Sequence, residues 1–180
     1  LSLDVAEGHK TGYYLDQRDS RRDCAAWTRR FGFEEVLNCY SYTGGFTVAA
    51  LSGGARHVTS IDSSAAALAR ARHNVALNGF DPARCTFVDA DVNASLRAFL
   101  AEGRRFDAIV LDPPKLAPSA AHVERAARAY KDVNRLGFKL LNPGGVLFTY
   151  SCSGAVGVEL FQKIVASAAD EAGVDATILA

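Results

Sequence analysis

Four short segments of this chain carry side chains able to do chemistry. Tyr42-Thr43-Gly44-Gly45-Phe46 is a glycine turn, and glycine lets a backbone approach a ligand closely. Asp62 follows Gly44 by 18 residues, and a carboxylate there can accept hydrogen bonds from both ribose hydroxyls of a nucleoside. Asp91 is placed to accept from an adenine amino group while Val92 packs on the ring. Asp112-Pro113-Pro114-Lys115 pairs an acid with two prolines that fix the backbone and offer carbonyls without a neighbouring N–H. Ser151-Cys152-Ser153 holds a thiol that, as thiolate, is a nucleophile. Each segment also has a plainer meaning: a turn without a ligand, an aspartate that only caps a helix, a small buried cysteine.

What would bring these segments together is a regular alternation of elements. Strands are expected at Glu35–Cys39, His57–Ile61, Cys85–Val88, Phe106–Leu111 and Val146–Tyr150. Helices are expected at Phe46–Leu51, Ser63–Leu77, Val92–Ala101, Val123–Leu141 and Val158–Ala172, with an earlier one from Asp19 or Ser20 to about Arg30. Phe106–Leu111 is continuously apolar and should be buried on both faces. Strands alternating with long helices make βαβ units, so the predicted fold is α/β with a doubly wound, mostly parallel, Rossmann-like sheet. Right-handed crossovers put every strand's C-terminal end on one rim, where ligands bind. Asp62, Asp91, Asp112 and Cys152 all fall on that rim.

The same logic of acids and ribose serves nicotinamide dinucleotides and S-adenosylmethionine. Dinucleotide sites want G-x-G-x-x-G, and this chain offers two adjacent glycines followed by Phe46. An acidic pocket without a pyrophosphate cradle suits a cationic sulfonium. Lys115 stands where enzymes acting on planar amines carry an aromatic residue after D/N-P-P, which argues against adenine-N6 chemistry.

Composition narrows the class. With 180 residues, 49% hydrophobic and 22% charged, the chain is long enough for one domain with a full core. Formal net charge is zero, so no global field favours nucleic acid. Local clusters at Arg18, Arg21, Arg22, Arg29 and Arg30, and at Arg125, Arg128 and Lys131, are either solvated helix faces or phosphate contacts. Cys24, Cys39, Cys85 and Cys152 show neither disulfide nor metal-ligand spacing, so no metal is expected and three or more should be reduced, buried thiols. No run of apolar residues reaches bilayer length and no leader is evident, which makes the cytoplasm the default. Residues 1–15 read as a β-hairpin around Glu7-Gly8-His9-Lys10. Leu1–Val5 and Ala176–Ala180 alternate like strands at the two ends, the pattern of a piece of a longer protein.

Five segments in order carry a family resemblance: Lys10-Thr11-Gly12-Tyr13-Tyr14-Leu15-Asp16-Gln17-Arg18, Tyr40-Ser41-Tyr42-Thr43-Gly44-Gly45-Phe46, Leu111-Asp112-Pro113-Pro114-Lys115, Tyr130-Lys131-Asp132-Val133-Asn134 and Ser151-Cys152-Ser153-Gly154. Over almost its whole length the chain resembles bacterial methyltransferases that make 5-methylcytosine in large-subunit ribosomal RNA. The resemblance implies S-adenosylmethionine as cofactor, with Gln17 and Arg18 lying over it, Tyr42, Thr43 and Gly44 around its methionine part, Asp62 and Ser63 at the ribose, and Asp91 and Val92 at the adenine. It implies Cys152 as nucleophile with Asp112 as its partner at the base. Thiolate addition at carbon 6 of cytosine makes carbon 5 nucleophilic, and a protonated Asp112 would stabilise charge at the N3 side. Pro113, Lys115, Tyr130 and Lys131 are the substrate-side candidates, with Tyr130 either stacking on the base or packing its helix. The target would be single-stranded or flipped out.

Residues 1–33 then form a hairpin and helix over the cofactor site, and 34–180 the methyltransferase domain, both ends being cut. Members of the family also carry an N-terminal RNA-binding domain of the PUA type and further C-terminal strands. Two departures stand out: Ala90 where members usually have a second acid, and Leu116 where Phe often follows the lysine. The rival functions are methylation of another atom such as a guanine nitrogen, a nicotinamide-dependent oxidoreductase, and a non-catalytic RNA-assembly factor on the same fold.

Overall fold

The computed structural model describes residues 14–117 and 119–179. The expected hairpin lies outside the described residues, apart from its last two positions. From there the chain runs α1 (Arg18–Phe31), β1 (Glu35–Cys39), α2 (Gly45–Gly53), β2 (His57–Asp62), α3 (Ala65–Leu77), β3 (Cys85–Asp89), α4 (Val92–Ala101), β4 (Phe106–Leu111), α5 (Val123–Leu140), β5 (Leu141–Thr149) and α6 (Val158–Ala172).

All strand pairs are parallel, in the order β3-β2-β1-β4-β5. The chain winds outward from β1 in one direction through β3 and then restarts on the other side with β4. Its crevice therefore opens between β1 and β4, where connections leave in opposite directions. Register Val36↔Val58 and Val36↔Ala108 brings the ends of β1, β2 and β4 level, and with them the residues that follow.

Alternation along each strand feeds two cores. Val36, Val58, Ala108 and Val110 point to one face and pack with Cys24, Phe46, Leu51 and Val75 from α1, α2 and α3. Leu37, Ile61, Ile109 and Leu111 point to the other and meet Leu96, Phe99, Val133 and Leu136 from α4 and α5. Both faces of β1 and β4 are buried, as parallel strands require. A buried polar chain crosses the first core. Asn38 donates to Thr47 Oγ1 at 3.0 Å, and Thr47 shares a 2.8 Å bond with Ser60 Oγ. It ties β1 to α2 and β2, and leaves those polar atoms paired.

The start of the sheet is held by Asp107. Its carboxylate accepts from the backbone N–H of Glu34 and Glu35 at 2.9 and 3.0 Å, and from Asn142 Nδ2 at 2.8 Å. Burial alone would raise this carboxyl, but the hydrogen bonds from Glu35, Asn142 and Glu34 outweigh it and hold the pKa below the ordinary value. Asp107→Ala is expected to cost about 1–3 kcal/mol, read from urea denaturation. A loss under about 0.5 kcal/mol would mean these bonds are exchanged for water without cost.

Two elements differ from expectation. β5 begins five residues early, at the end of α5, because Pro143 and Gly144 make a bulge there. The register jumps from Phe106↔Leu141 to Ala108↔Val146, with Gly144 at φ +78°. The strand-like run 176–179 is not a strand. It is exposed and pairs with no strand of the sheet. No helix among the described residues is long and apolar enough to cross a membrane.

Candidate active site

The rim of the sheet is built around a strained loop. Leaving β1, Tyr40 and Tyr42 both take left-handed backbone, φ +56° and +46°, which is uncommon for residues with side chains and occurs where surrounding structure enforces it. Gly44 follows at φ +81°, and a Cβ there would lie 2.9 Å from Ala71 Cβ of α3. Only glycine fits both demands. Ser41 N–H donates to Ile61 O and Gly44 N–H to Ser41 O, which fold the loop over the end of β2. From α3, buried Asn74 donates Nδ2 to Thr43 O at 2.9 Å.

Asp62 locks the loop from the other side. One carboxylate oxygen accepts from Tyr42 N–H at 2.8 Å and the other from Ser64 N–H at 3.0 Å. Each oxygen keeps a further lone pair, Asp62 is half-buried, and Ser63 beside it is exposed. At the end of β3, Asp91 caps α4, accepting from Ala94 N–H at 2.9 Å. The plainer role of that aspartate is thus real for one of its oxygens.

The end of β4 carries Asp112, with Pro113 buried and Lys115 exposed. Gln17 Nε2 reaches across from the residue before α1 and donates to Asp112 Oδ1 at 3.2 Å. Burial pushes the Asp112 carboxyl up to about 6, the Asp16 charge adds to that, and Gln17 and Arg21 oppose it. A carboxyl whose pKa rises on folding stabilises the folded chain only while protonated. That contribution is complete below about pH 4 and lost as pH rises through about 6. Wild type should therefore lose thermal stability from pH 4 to 6.5 relative to Asp112→Asn, measured by calorimetry. Parallel pH profiles for the two proteins would remove the claim.

The segment ahead of the sheet covers this rim at three points. Tyr14 meets Tyr42 edge-on at 5.9 Å, Gln17 bonds Asp112, and Arg21 lies against Gly45 while donating to Tyr14 O. Arg18 instead points into solvent beside Asp19.

Cys152 follows β5 and is exposed, whereas Cys24, Cys39 and Cys85 are buried. Its Sγ lies 3.7 Å from Pro113 O, so the thiol sits against the loop that carries Asp112. Burial raises the other three thiols: Cys24 to about 12, Cys85 to about 11, and Cys39 further still. They stay protonated at neutral pH.

Packing bears on three of the expected site residues. Val92 is 4% exposed and belongs to the core with Leu37 and Ile61. Tyr130 is fully buried and cannot stack on a base. Its ring meets Phe161 of α6 edge-on at 5.3 Å. Lys131 is paired with Glu171 of α6. Asn74 was not anticipated, although it falls on the apolar face of α3 with Leu68, Ala71 and Val75, where a polar residue must have a partner.

This donor set fits an adenosyl sulfonium. The rim offers acceptors at Asp62, Asp91 and Asp112 and a buried Ser41 hydroxyl with no protein partner. Among the described residues no group of acids, histidines and cysteines could hold a metal.

Comparison with known proteins agrees. Residues 1–174 match the family of S-adenosylmethionine-dependent methyltransferases. Ribosomal RNA large subunit methyltransferase I of Klebsiella pneumoniae is 54% identical over 175 residues, covering 97% of this chain and 43% of that protein. The chain thus spans less than half the length of such curated relatives. A SAM-dependent methyltransferase from Streptococcus mutans has a TM-score of 0.79 at 28% identity, over 91% of this chain and 42% of the other. A methyltransferase solved in complex with SAH has a TM-score of 0.78 at 28% identity, over 90% of this chain and 42% of its own. With its glycine turn, its acid-lined rim and a family match over nearly its full length, this chain belongs to the S-adenosylmethionine-dependent methyltransferases.

Proposed function

We propose that the chain is the catalytic part of a ribosomal RNA methyltransferase acting at carbon 5 of cytosine, with Cys152 as nucleophile. The observation that carries this reading is the placement of Cys152. It is the exposed thiol of the four, and it lies 3.7 Å from the carbonyl of Pro113, beside Asp112. The relatives named for ribosomal RNA point to the same class of substrate.

When bound, S-adenosylmethionine supplies an electrophilic methyl group. Tyr42, Thr43 and Gly44 would bound its methionine part, Asp62 and Ser63 would hold the ribose, and Asp91 with Val92 would meet the adenine. Of residues 1–33, the described part from Tyr14 serves as the cover, through Gln17 above all, over the domain that follows. Cys152 gives its proton to solvent, and Sγ adds to carbon 6 of the base. The displaced electron pair makes carbon 5 nucleophilic. After alkylation, loss of the carbon-5 proton to solvent re-forms the 5,6 double bond and expels the thiolate. Asp112, protonated up to about pH 6, donates to the N3 side of the ring as charge gathers there.

Exposed Lys115, Arg125 and Arg128 are the candidate phosphate contacts on this side, while Lys131 is engaged with Glu171. A separate RNA-binding domain of the whole protein would supply the rest of the affinity, in the cytoplasm.

The test is trapping with RNA that carries 5-fluorocytosine. Fluorine cannot leave as the proton does, so the sulfur–carbon bond persists. An adduct that survives denaturant, needs the cofactor and maps to Cys152 supports the reading. Methylated RNA with no adduct points to another target atom and removes it.

A further inference from the structure

The serines on either side of Cys152 share one buried partner. Ser151 Oγ donates to Tyr130 Oη at 3.0 Å, and Tyr130 Oη lies 3.1 Å from Ser153 Oγ. In the second of these bonds either oxygen can be the donor. Ser153 Oγ also accepts from Ala117 N–H at 3.0 Å, and Ser153 N–H reaches back to Ser151 Oγ at 3.3 Å. The phenol thus joins the turn after β5 to the segment that continues Asp112-Pro113-Pro114-Lys115. Its ring is fixed among Ala117, Ala126, Val156 and Ile164, with Phe161 edge-on. Asn134 donates to the Tyr130 carbonyl at 2.8 Å. Nothing about filling this space needs a hydroxyl, because phenylalanine has the same ring. The hydroxyl is spent on the two residues that flank the thiol.

We propose that Tyr130 is the positioning residue for Cys152: by hydrogen bonding to both Ser151 and Ser153 it fixes where the sulfur stands relative to the Asp112 loop. The inference rests on Cys152 being the nucleophile. Tyr130 lies beneath the turn, touches no substrate, and acts through the two serines. A misplacement of about 1 Å at a reacting atom costs on the order of a hundredfold in rate.

The test compares Tyr130→Phe with wild type in the whole chain, using cofactor and RNA that carries 5-fluorocytosine. Adduct formation should slow at least about tenfold. S-adenosylmethionine affinity should stay within about twofold, and alkylation of the exposed Cys152 by iodoacetamide within about threefold, because sulfur position changes and sulfur access does not. The Ser151→Ala, Ser153→Ala variant should show the same loss, and adding Tyr130→Phe to it should add little. That serine variant also decides the matter should Tyr130→Phe fold poorly. An unchanged adduct rate in the Tyr130→Phe or serine variant, or a cofactor affinity that falls in step with it, overturns the proposal. Failure of wild type to form any adduct instead sinks the cytosine reading beneath it.

Discussion

Cys152→Ala is expected to lower methyl transfer to RNA by on the order of 10³-fold or more, the scale seen when a covalent nucleophile is removed. The side chain is exposed, so folding should change by no more than about 0.5 kcal/mol. Its sulfur touches the Pro113 carbonyl, and the proposed ribose and adenine contacts come from other residues, so cofactor affinity should hold. This combination of lost turnover, intact fold and intact binding separates chemistry from architecture. The buried thiols supply the contrast. Cys39 is fully enclosed at the end of β1, and its replacement should lower melting temperature while the folded fraction keeps its rate. The measurement is tritium transfer from labelled cofactor into ribosomal RNA. A Cys152→Ala chain that works within about threefold of wild type would return the residue to a structural role.

Asp62→Ala should weaken S-adenosylmethionine binding by about 30- to 1000-fold. The carboxylate holds Tyr42 N–H and Ser64 N–H, one on each oxygen. Its removal leaves two backbone donors without their charged acceptor and takes away the proposed ribose contacts. Bonds of that kind are worth about 2–4 kcal/mol together, and each 1.4 kcal/mol is tenfold in affinity. Titration calorimetry with cofactor or with SAH reads the loss directly. Glu102→Ala is the control, because Glu102 is an exposed acid at the C-terminal end of α4, away from the rim. A shift below about threefold in Asp62→Ala would place the ribose elsewhere.

The scaffold was largely legible because its signals are local and periodic. β1, β4, α4 and α6 fall where alternation and helical spacing put them, since a strand buried on both faces has to read as an apolar run. β5 did not, because Pro143 and Gly144 look like a turn in sequence, while the bulge they make depends on β4 alongside. Ala176–Leu179 alternates like a strand and pairs with none, so alternation alone does not make a strand. At the site, the acids at strand ends were readable because a parallel sheet delivers them to one edge. What they bind was not. Asp91 divides itself between helix cap and rim, and Lys131 meets an acid 40 residues away on α6. Tyr130 stayed open between stacking and packing because the same tyrosine is a stacking platform when exposed and a hydrogen-bond hub when buried, and only tertiary packing decides between them.

The two tyrosines with left-handed backbone carry a last implication. Holding Tyr40 and Tyr42 in that conformation costs on the order of 1–3 kcal/mol each, met by the rest of the fold. Tyr42 is braced by the Tyr14 ring and the Asp62 carboxylate, and Tyr40 by the α4–α5 core. An incoming nucleoside therefore meets a surface that is already shaped, and gives up little affinity to freezing it. Ordering here is completed when the polypeptide folds, long before any molecule arrives.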